Sequence, residues 1–251
     1  EGLSVDALEV LLAREPIRLL YLTPHHQYPS TVLLSSSRRL RLLELARTHR
    51  FAILEDDYDH EFHYDGRPVL PLASADRSGV VVYMGTLSKI LAPGLRIGFV
   101  VAPVPLIERL AAIRNFIDRQ GDQAMERAIA ELLEDGEVQR HARRMRRIYQ
   151  ERRDVLAQAL LKQLGDVVEF QVPSGGIAMW VRVAQDIDVD DWVERAADRG
   201  LAVHAGRRYA FDGRSRPFLR MCFASLNERE IREAVGRLAA SRPRASRTHA
   251  A

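Results

Sequence analysis

Lysine is scarce in this sequence. Of its 37 basic residues only two, Lys89 and Lys162, are lysines, and the other 35 are arginines. An arginine guanidinium stays charged, whereas a buried lysine can lose its proton and act as a neutral amine nucleophile. Lys162 lies among leucines in a helical pattern, and we interpret it as a surface residue. Lys89 is therefore the candidate nucleophile.

Cysteine and long apolar stretches are scarce as well. The single cysteine, Cys222, excludes an internal disulfide and favours a reducing compartment, and we interpret it as a small buried residue. The longest apolar stretch, residues 97–107, contains two prolines and is far shorter than the ~18 residues that a membrane span needs. No secretory signal is visible. We therefore expect a cytoplasmic protein with no membrane partner.

The charge balance does not require a polyanionic partner. The net charge is +3, and the 28% of residues that are charged carry both signs. Many arginines lie between residues 138 and 164, where the apolar positions follow an amphipathic helical pattern. We interpret these arginines as the solvated face of a helix rather than as a surface that binds nucleic acid.

The spacing of apolar residues predicts an α/β fold. Four short apolar runs are typical of strands buried on both faces of a sheet. They are residues 19–23, 51–55, 80–84 and 97–102. A helical pattern over residues 37–49 separates the first two runs. This strand, helix, strand order favours a mostly parallel sheet between layers of helices.

The pattern along the chain predicts two domains and a tail. Residues 1–135 are predicted to form a partial large domain, and residues 136–240 a smaller α+β domain that is entered by a long helix. The smaller domain includes a predicted strand over residues 201–204. Residues 241–251, rich in arginine, serine and proline, are predicted to be a disordered tail. A helical pattern begins within a few residues of the first residue, so we interpret the chain as truncated at its amino end.

Polar segments follow three of the predicted strands. They are residues 23–27, 55–58 and 86–89. Ligands of parallel sheets collect beyond the carboxyl ends of the strands. The hydroxyls of Thr86 and Ser88 precede Lys89, and Arg96 follows seven residues later, which suits a phosphorylated anion held beside a nucleophilic amine. That combination fits pyridoxal 5'-phosphate (PLP) bound to a Schiff-base lysine.

Residues 55–63, Glu-Asp-Asp-Tyr-Asp-His-Glu-Phe-His, form the densest polar cluster. Paired carboxylates could perform glycosidase acid–base chemistry. Histidine and aspartate could bind a metal, although His60 and His63 lack the usual spacing. The segment could also be a solvated loop. In a fourth interpretation, one carboxylate pairs with the protonated ring nitrogen of PLP and Tyr58 bonds to the ring oxygen, and only this one also accounts for Lys89.

Together these motifs resemble those of the fold-type I PLP-dependent aminotransferases, and most closely the aminotransferase-like domain of MocR-type regulators of the GntR superfamily. The motifs of these regulators are similar to residues 23–29, 55–62, 85–89 and 93–96. The resemblance spans most of the chain. It implies a partial large domain with a mostly parallel sheet and a smaller α+β domain.

The resemblance also implies roles for individual residues. Asp56 pairs with the pyridinium nitrogen, Tyr58 contacts the ring hydroxyl, and Lys89 forms the Schiff base. The phosphate is held by Thr86, Ser88 and Arg96. No metal is implied.

Two further positions bear on what the domain binds. Arg220 matches the arginine that grips the substrate α-carboxylate in aminotransferases, although it could also be a charged residue on the outer face of a strand. Tyr28 stands where ordinary aminotransferases have an asparagine, which is nearer the regulator pattern. Upstream elements of the family, the phosphate loop and a ring-stacking aromatic residue, have no counterpart in the chain.

The implied function is a domain that forms a Schiff base with PLP and exchanges it for an amino-acid or amine substrate or effector. We expect it to be part of a MocR-like homodimeric transcription regulator that binds DNA only through a missing amino-terminal segment. The alternative is a stand-alone class I/II aminotransferase that transfers an amino group to a 2-oxo acid. A third possibility, an interaction module with a decayed site, is disfavoured because Asp56, Tyr58, Lys89 and Arg96 occur together.

Overall fold

The chain folds as two units. In the computed structural model, which describes residues 2–67 and 69–243, one unit comprises Glu1–Tyr28 with Val32–Met145, and the other comprises Pro29–Thr31 with Arg146–Ala251. The division falls inside a long helix, whereas the predicted boundary precedes that helix.

The first unit contains a four-stranded sheet. Its strands are β1 (Leu19–Leu22), β2 (Ala52–Asp57), β3 (Val81–Thr86) and β4 (Gly98–Val101), and their order in the sheet follows the sequence. The first three strands are parallel, and β4 runs antiparallel to β3. The segment between β3 and β4 is too short for the crossover that parallel neighbours need. The predicted mostly parallel sheet is confirmed.

Helices cover one face of this sheet. The helices of the unit are α1 (Val5–Leu12), α2 (Ser36–His49), α3 (Leu72–Ala75), α4 (Val104–Ile117) and α5 (Gln123–Glu134). The hydroxyls of Ser4 and Ser35 cap the amino ends of α1 and α2. Apolar residues of α1 and α2, such as Leu8 and Leu42, form one core cluster with Ile53 of the sheet.

The other face is only half covered, so the prediction of strands buried on both faces is wrong. Along β2, Ile53, Glu55 and Asp57 are buried, whereas the alternating residues Ala52, Leu54 and Asp56 are half-buried. On β1, Tyr21 is 57% exposed. The helices that share the core with Ile53 pack on the buried side, because successive strand residues point to opposite faces.

The second unit contains an antiparallel sheet. Its strands are β5 (Val168–Phe170), β6 (Ala178–Val183), β7 (His204–Ala205) and β8 (Phe218–Cys222), in the order β5-β6-β8-β7. Its helices are α7 (Val189–Ala197), α8 (Glu228–Ala240) and most of α6 (Glu137–Leu164). Trp192 of α7 is completely buried, and its indole N–H donates to the carbonyl of Leu238.

Three local predictions in this unit need correction. The strand predicted over residues 201–204 is reduced to His204–Ala205, because the N–H of Leu201 still donates to Ala196 at the end of α7. Cys222 is exposed rather than buried, at the last position of β8. Ser241 is buried, and its hydroxyl donates to Leu238, so the predicted tail begins too early. Residues 244–251 of that tail lie outside the described residues.

Candidate functional site

Asp56 lies near the end of β2, on the half-exposed face of the first sheet. Its Oδ2 accepts a hydrogen bond of 2.5 Å from the hydroxyl of Tyr21 on the neighbouring strand. Burial, together with the charge of Asp56, raises the pKa of the Tyr21 hydroxyl, so this hydroxyl stays protonated and donates. Tyr21 was not predicted as a site residue. The one feature of the sequence that marks it is a hydroxyl group in an otherwise apolar strand.

Thr86 ends β3 on the same face as Asp56. The register pairs Asp56 with Met84, and Thr86 lies two residues further along the strand. The Thr86 hydroxyl accepts a hydrogen bond of 3.1 Å from the backbone N–H of Ser88. The side chain of Thr86 therefore holds the backbone of Ser88, the second predicted phosphate-binding residue, just beyond the carboxyl end of this strand.

Lys89 lies in the turn that follows. Its neighbours Leu87 and Ile90 are buried, whereas Lys89 is exposed. The buried pair anchors the turn and leaves the lysine side chain outside the core. The burial expected of a nucleophilic lysine is therefore not provided by the described residues.

Arg96 is brought next to this turn by the backbone. The N–H of Leu87 donates to the carbonyl of Ile97, the residue after Arg96. Arg96 itself has a left-handed backbone (φ 54°), which costs about 1–3 kcal/mol for a residue with a side chain. An arginine held at such a position fits a functional role for its side chain, although Arg50 and Arg119 show the same conformation.

Two glycines allow β3 and β4 to approach closely beside Thr86. A Cβ atom added at Gly85 would overlap the ring of Phe99, and one at Gly98 would lie 2.8 Å from the carbonyl oxygen of Gly85. Neither position accommodates a side chain without movement. The glycine that precedes Thr86 is thus explained by packing, and it fixes the strand end that carries the hydroxyls.

Tyr58 lies just past the end of β2 and is half-buried. Its hydroxyl donates a hydrogen bond of 3.0 Å to the backbone carbonyl of His26. The ring of His26 is itself buried, and its Nδ1 lies 2.7 Å from Oδ1 of the buried Asp59. Sequence analysis assigned no role to this histidine–aspartate pair.

Asp57 points to the opposite face from Asp56 and occupies a buried polar network. Its Oδ2 accepts from the hydroxyl of Tyr83 at 3.0 Å, and it lies 3.2 Å from Nδ1 of His25 and 3.3 Å from Nδ1 of His60. Glu55, on the same face, accepts from the backbone N–H groups of α3. The interpretation of residues 55–63 as a solvated loop is therefore wrong for these carboxylates.

Charge stabilises this network. Burial alone would raise the pKa of Asp57, but His25 first and then His60 and Tyr83 outweigh it and lower that pKa. Burial alone would lower the pKa of His25, but Asp57 and the carbonyl of Val69 outweigh it and raise that pKa. Among the described residues, no group of three or more histidine, cysteine, aspartate or glutamate side chains is arranged to hold a metal ion.

The pKa shift of His25 predicts how stability varies with pH. Because its folded-state pKa is raised, its stabilising contribution is fully present below about pH 6.5 and is lost as the pH rises through the folded-state pKa. The free energy of unfolding should therefore fall as the pH rises above about 6.5, and it should fall less in His25→Asn. Urea unfolding of both proteins across this range measures the difference. If the free energy of unfolding falls equally with pH in both proteins, the charged pair of His25 and Asp57 is contradicted.

Arg220 lies in the second unit, on β8. It is paired across the sheet with Trp180 on one side and His204 on the other. Leu219 and Met221 face the core, so half-buried Arg220 lies on the outer face. There the ring of Trp180 stacks on that of Phe218, with centroids 5.0 Å apart. Burial, followed by the positive charges of Arg208 and Arg220, lowers the pKa of His204.

Comparison with known families places the chain. The model of the aminotransferase class I and II family matches residues 2–238. The chain belongs to this family. No helix in the described part of the chain is both long enough and apolar enough to cross a membrane.

The family members similar to the chain include enzymes and regulators. The chain is 33% identical over 244 residues to aromatic-amino-acid aminotransferase 1 of Thermococcus litoralis, covering 95% of this chain and 58% of that protein. It is 32% identical over 222 residues to the probable rhizopine catabolism regulatory protein MocR of Rhizobium meliloti, covering 88% of this chain and 45% of that protein. The chain thus spans about half the length of the curated relatives it matches.

Solved structures show the same fold. The crystal structure of LysN, the alpha-aminoadipate aminotransferase of Thermus thermophilus, superposes with a TM-score of 0.90 at 30% identity and covers 96% of this chain and 62% of that one. The predicted fold, PLP-dependent fold type I, is confirmed. The LysN structure contains a phosphopyridoxyl-leucine complex.

Family membership implies PLP as the cofactor. The described residues fit it, because Asp56 with its tyrosine donor and the Thr86 hydroxyl, which holds the backbone N–H of Ser88, lie at the ends of adjacent strands on one half-exposed face. The roles of the single residues remain predictions.

Proposed function

We propose that the chain is the PLP-binding domain of a MocR-like transcription regulator, in which an amino acid or amine displaces Lys89 from the cofactor. Tyr28 is the residue that favours a regulator over an enzyme. It stands at the position of the asparagine expected in an aminotransferase, and its side chain is 51% exposed. Its backbone N–H donates to the hydroxyl of Thr23 at 2.7 Å, which fixes the turn that presents it. The 32% identity to MocR supports this proposal.

The first unit supplies the groups for the cofactor. PLP, when bound, provides an electron sink that labilises bonds at the α-carbon of an amino acid. Asp56 would hold the ring nitrogen protonated, and Tyr58 would donate to the ring oxygen. Lys89 would attach the cofactor and, once displaced, would move the α-proton. The phosphate would be bound by Thr86, Ser88 and Arg96.

The second unit supplies the group for the ligand. Arg220 would bind the α-carboxylate through the two parallel hydrogen bonds that a guanidinium can donate. The aromatic rings beside it would form an apolar surface next to that carboxylate. In a regulator, differential binding of the ligand to two conformations would suffice to shift the equilibrium read by a fused DNA-binding segment.

Arg220→Lys should weaken amino-acid binding about tenfold to a hundredfold and leave PLP binding unchanged. An ammonium cannot reproduce the bidentate contact, and a hydrogen bond to a charged group contributes about 1.5–3 kcal/mol. Spectral titration with an amino acid, compared with its decarboxylated amine, measures the effect. If the variant loses affinity for both ligands equally, Arg220 has a structural role only.

The alternative is a stand-alone class I/II aminotransferase. The 33% identity to the Thermococcus litoralis enzyme, together with an intact Asp56, Tyr58 and Lys89, favours it. Incubating the PLP-loaded full-length protein with amino acids and a 2-oxo acid acceptor discriminates the two. A regulator should release at most one 2-oxo acid per site and should change its affinity for DNA when the amino acid is added. Sustained turnover with no effect on DNA would establish the enzyme.

We further propose that the whole protein is a homodimer that contacts DNA only through a segment outside this chain. The half-exposed face of the first sheet and α4, whose Phe116 is 92% exposed, offer apolar surface for association. Native mass spectrometry of the full-length protein gives the oligomeric state. A monomer that retains PLP would contradict the dimer.

A further inference from the structure

The hydroxyl of Tyr58 has a single proton, and the chain gives that proton a specific acceptor. The hydroxyl donates to the backbone carbonyl of His26 at 3.0 Å. A phenol can donate one hydrogen bond at a time. The position of the His26 carbonyl therefore determines where the Tyr58 oxygen and its proton lie.

A buried hydrogen bond to Asp59 holds His26 in place. Its Nδ1 lies 2.7 Å from Oδ1 of Asp59, and the side chains of His26 and Asp59 are 3% and 2% exposed. An ionised carboxylate only accepts hydrogen bonds, so Nδ1 of His26 carries the proton. A charge-assisted bond between two buried groups resists displacement more than a solvated one.

Two further hydrogen bonds hold the segment after β1 that contains His26. The N–H of Gln27 donates to the carbonyl of Val32, and the buried guanidinium of Arg39 donates to the carbonyl of Pro24 at 2.7 Å. Asp59 follows Tyr58 directly in the sequence. The pair therefore joins the segment after β1 to the segment after β2 at the point where Tyr58 leaves the sheet.

We propose that His26 and Asp59 are positioning residues for Tyr58. The pair fixes the His26 carbonyl and, through it, the position of the Tyr58 oxygen. Rotation about the phenolic C–O bond would then redirect the hydrogen bond of Tyr58 from this carbonyl to the cofactor's ring oxygen, and the proton would stay on Tyr58. Neither residue touches the cofactor. The inference rests on the PLP site and is independent of the choice between regulator and enzyme.

A double-mutant cycle on the PLP-loaded full-length protein tests this. Tyr58→Phe should weaken PLP binding about tenfold to a hundredfold, as expected when a hydrogen bond to a charged oxygen is lost. Asp59→Ala should weaken PLP binding about twofold to tenfold, because the loss of one neutral hydrogen bond changes an equilibrium constant by about this factor. In the Tyr58→Phe background, Asp59→Ala should weaken PLP binding no further, because its effect acts through the hydroxyl. Equal losses in both backgrounds would overturn the proposal.

A spectroscopic readout separates positioning from general destabilisation. The apparent pKa of the bound cofactor's visible absorbance should rise in Tyr58→Phe, which loses a donor to the ring oxygen, and should rise by less in Asp59→Ala. Asp59→Asn retains an acceptor oxygen and should remain near the wild type. Ser241→Ala, which removes a buried hydrogen bond in the second unit, is the matched control and should leave this pKa unchanged. An unshifted pKa in Asp59→Ala, or a shifted one in the control, would overturn the proposal.

The geometry can also be tested without cofactor. In a ¹⁵N NMR spectrum of the chain at neutral pH, Nδ1 of His26 should be protonated, and Asp59→Ala should remove that preference. A His26 ring protonated only at Nε2 would overturn the proposal even if PLP binds normally. Absence of PLP binding combined with the expected tautomer would instead count against the proposed function.

Discussion

Replacing Lys89 with alanine should abolish the covalent attachment of PLP. The structure places Lys89 in the turn after β3, one residue beyond Ser88, whose N–H is bound by the Thr86 hydroxyl. Arginine cannot act as a substitute nucleophile, because its guanidinium does not deprotonate in proteins. The 35 arginines of the chain are therefore unable to compensate.

Retention of PLP after gel filtration, together with the visible absorbance, measures this effect. Lys162→Ala is the matched control, since Lys162 is the only other lysine and is exposed on α6. The control should retain the full absorbance, and Lys89→Ala should show only free or loosely bound cofactor. If both variants retain the same absorbance, Lys89 is not the attachment site.

Asp56→Asn should leave PLP attached but slow exchange of the ligand α-proton at least tenfold to a hundredfold. An amide cannot hold the ring nitrogen protonated as an anion does, and an ionic hydrogen bond of this kind contributes about 1.5–3 kcal/mol. The carboxylate already accepts from Tyr21 at 2.5 Å, which fixes its orientation. Asp56→Asn therefore removes an oriented negative charge that would pair with the ring nitrogen of PLP.

The exchange of the α-proton for deuterium in ²H₂O, followed by NMR, measures this. Tyr21→Phe is the matched control: it removes the donor but leaves the carboxylate, so it should slow exchange much less than Asp56→Asn. Unchanged exchange in Asp56→Asn would exclude Asp56 from the role. A Tyr21→Phe defect as large as that of Asp56→Asn would assign the effect to orientation rather than to charge.

The features that depend on residues close together in the sequence were predicted. The apolar runs of β1 to β4 and the polar segments after the first three of them follow from residue order, and the parallel packing of these three strands brings the polar segments to one edge of the sheet. Residues 201–203 were predicted as strand but do not form one, because the N–H of Leu201 still donates to the carbonyl of Ala196 at the end of α7. An apolar run alone does not reveal how far a preceding helix extends its hydrogen bonds.

Contacts between distant segments could not be predicted. The bond from Tyr21 to Asp56 and the network around Asp57 depend on the register of β1, β2 and β3. A shift of one residue would exchange Asp56 with Asp57 and place the wrong carboxylate on the half-exposed face. The pairing of His26 with Asp59 likewise joins residues 33 positions apart.

The attachment of PLP to Lys89 is tested most directly by borohydride reduction of the PLP-loaded full-length protein, followed by peptide mass mapping. We expect a pyridoxyl group on the peptide that contains Lys89 and none on the peptide that contains Lys162. A pyridoxyl group on Lys162, or on neither lysine, would contradict it.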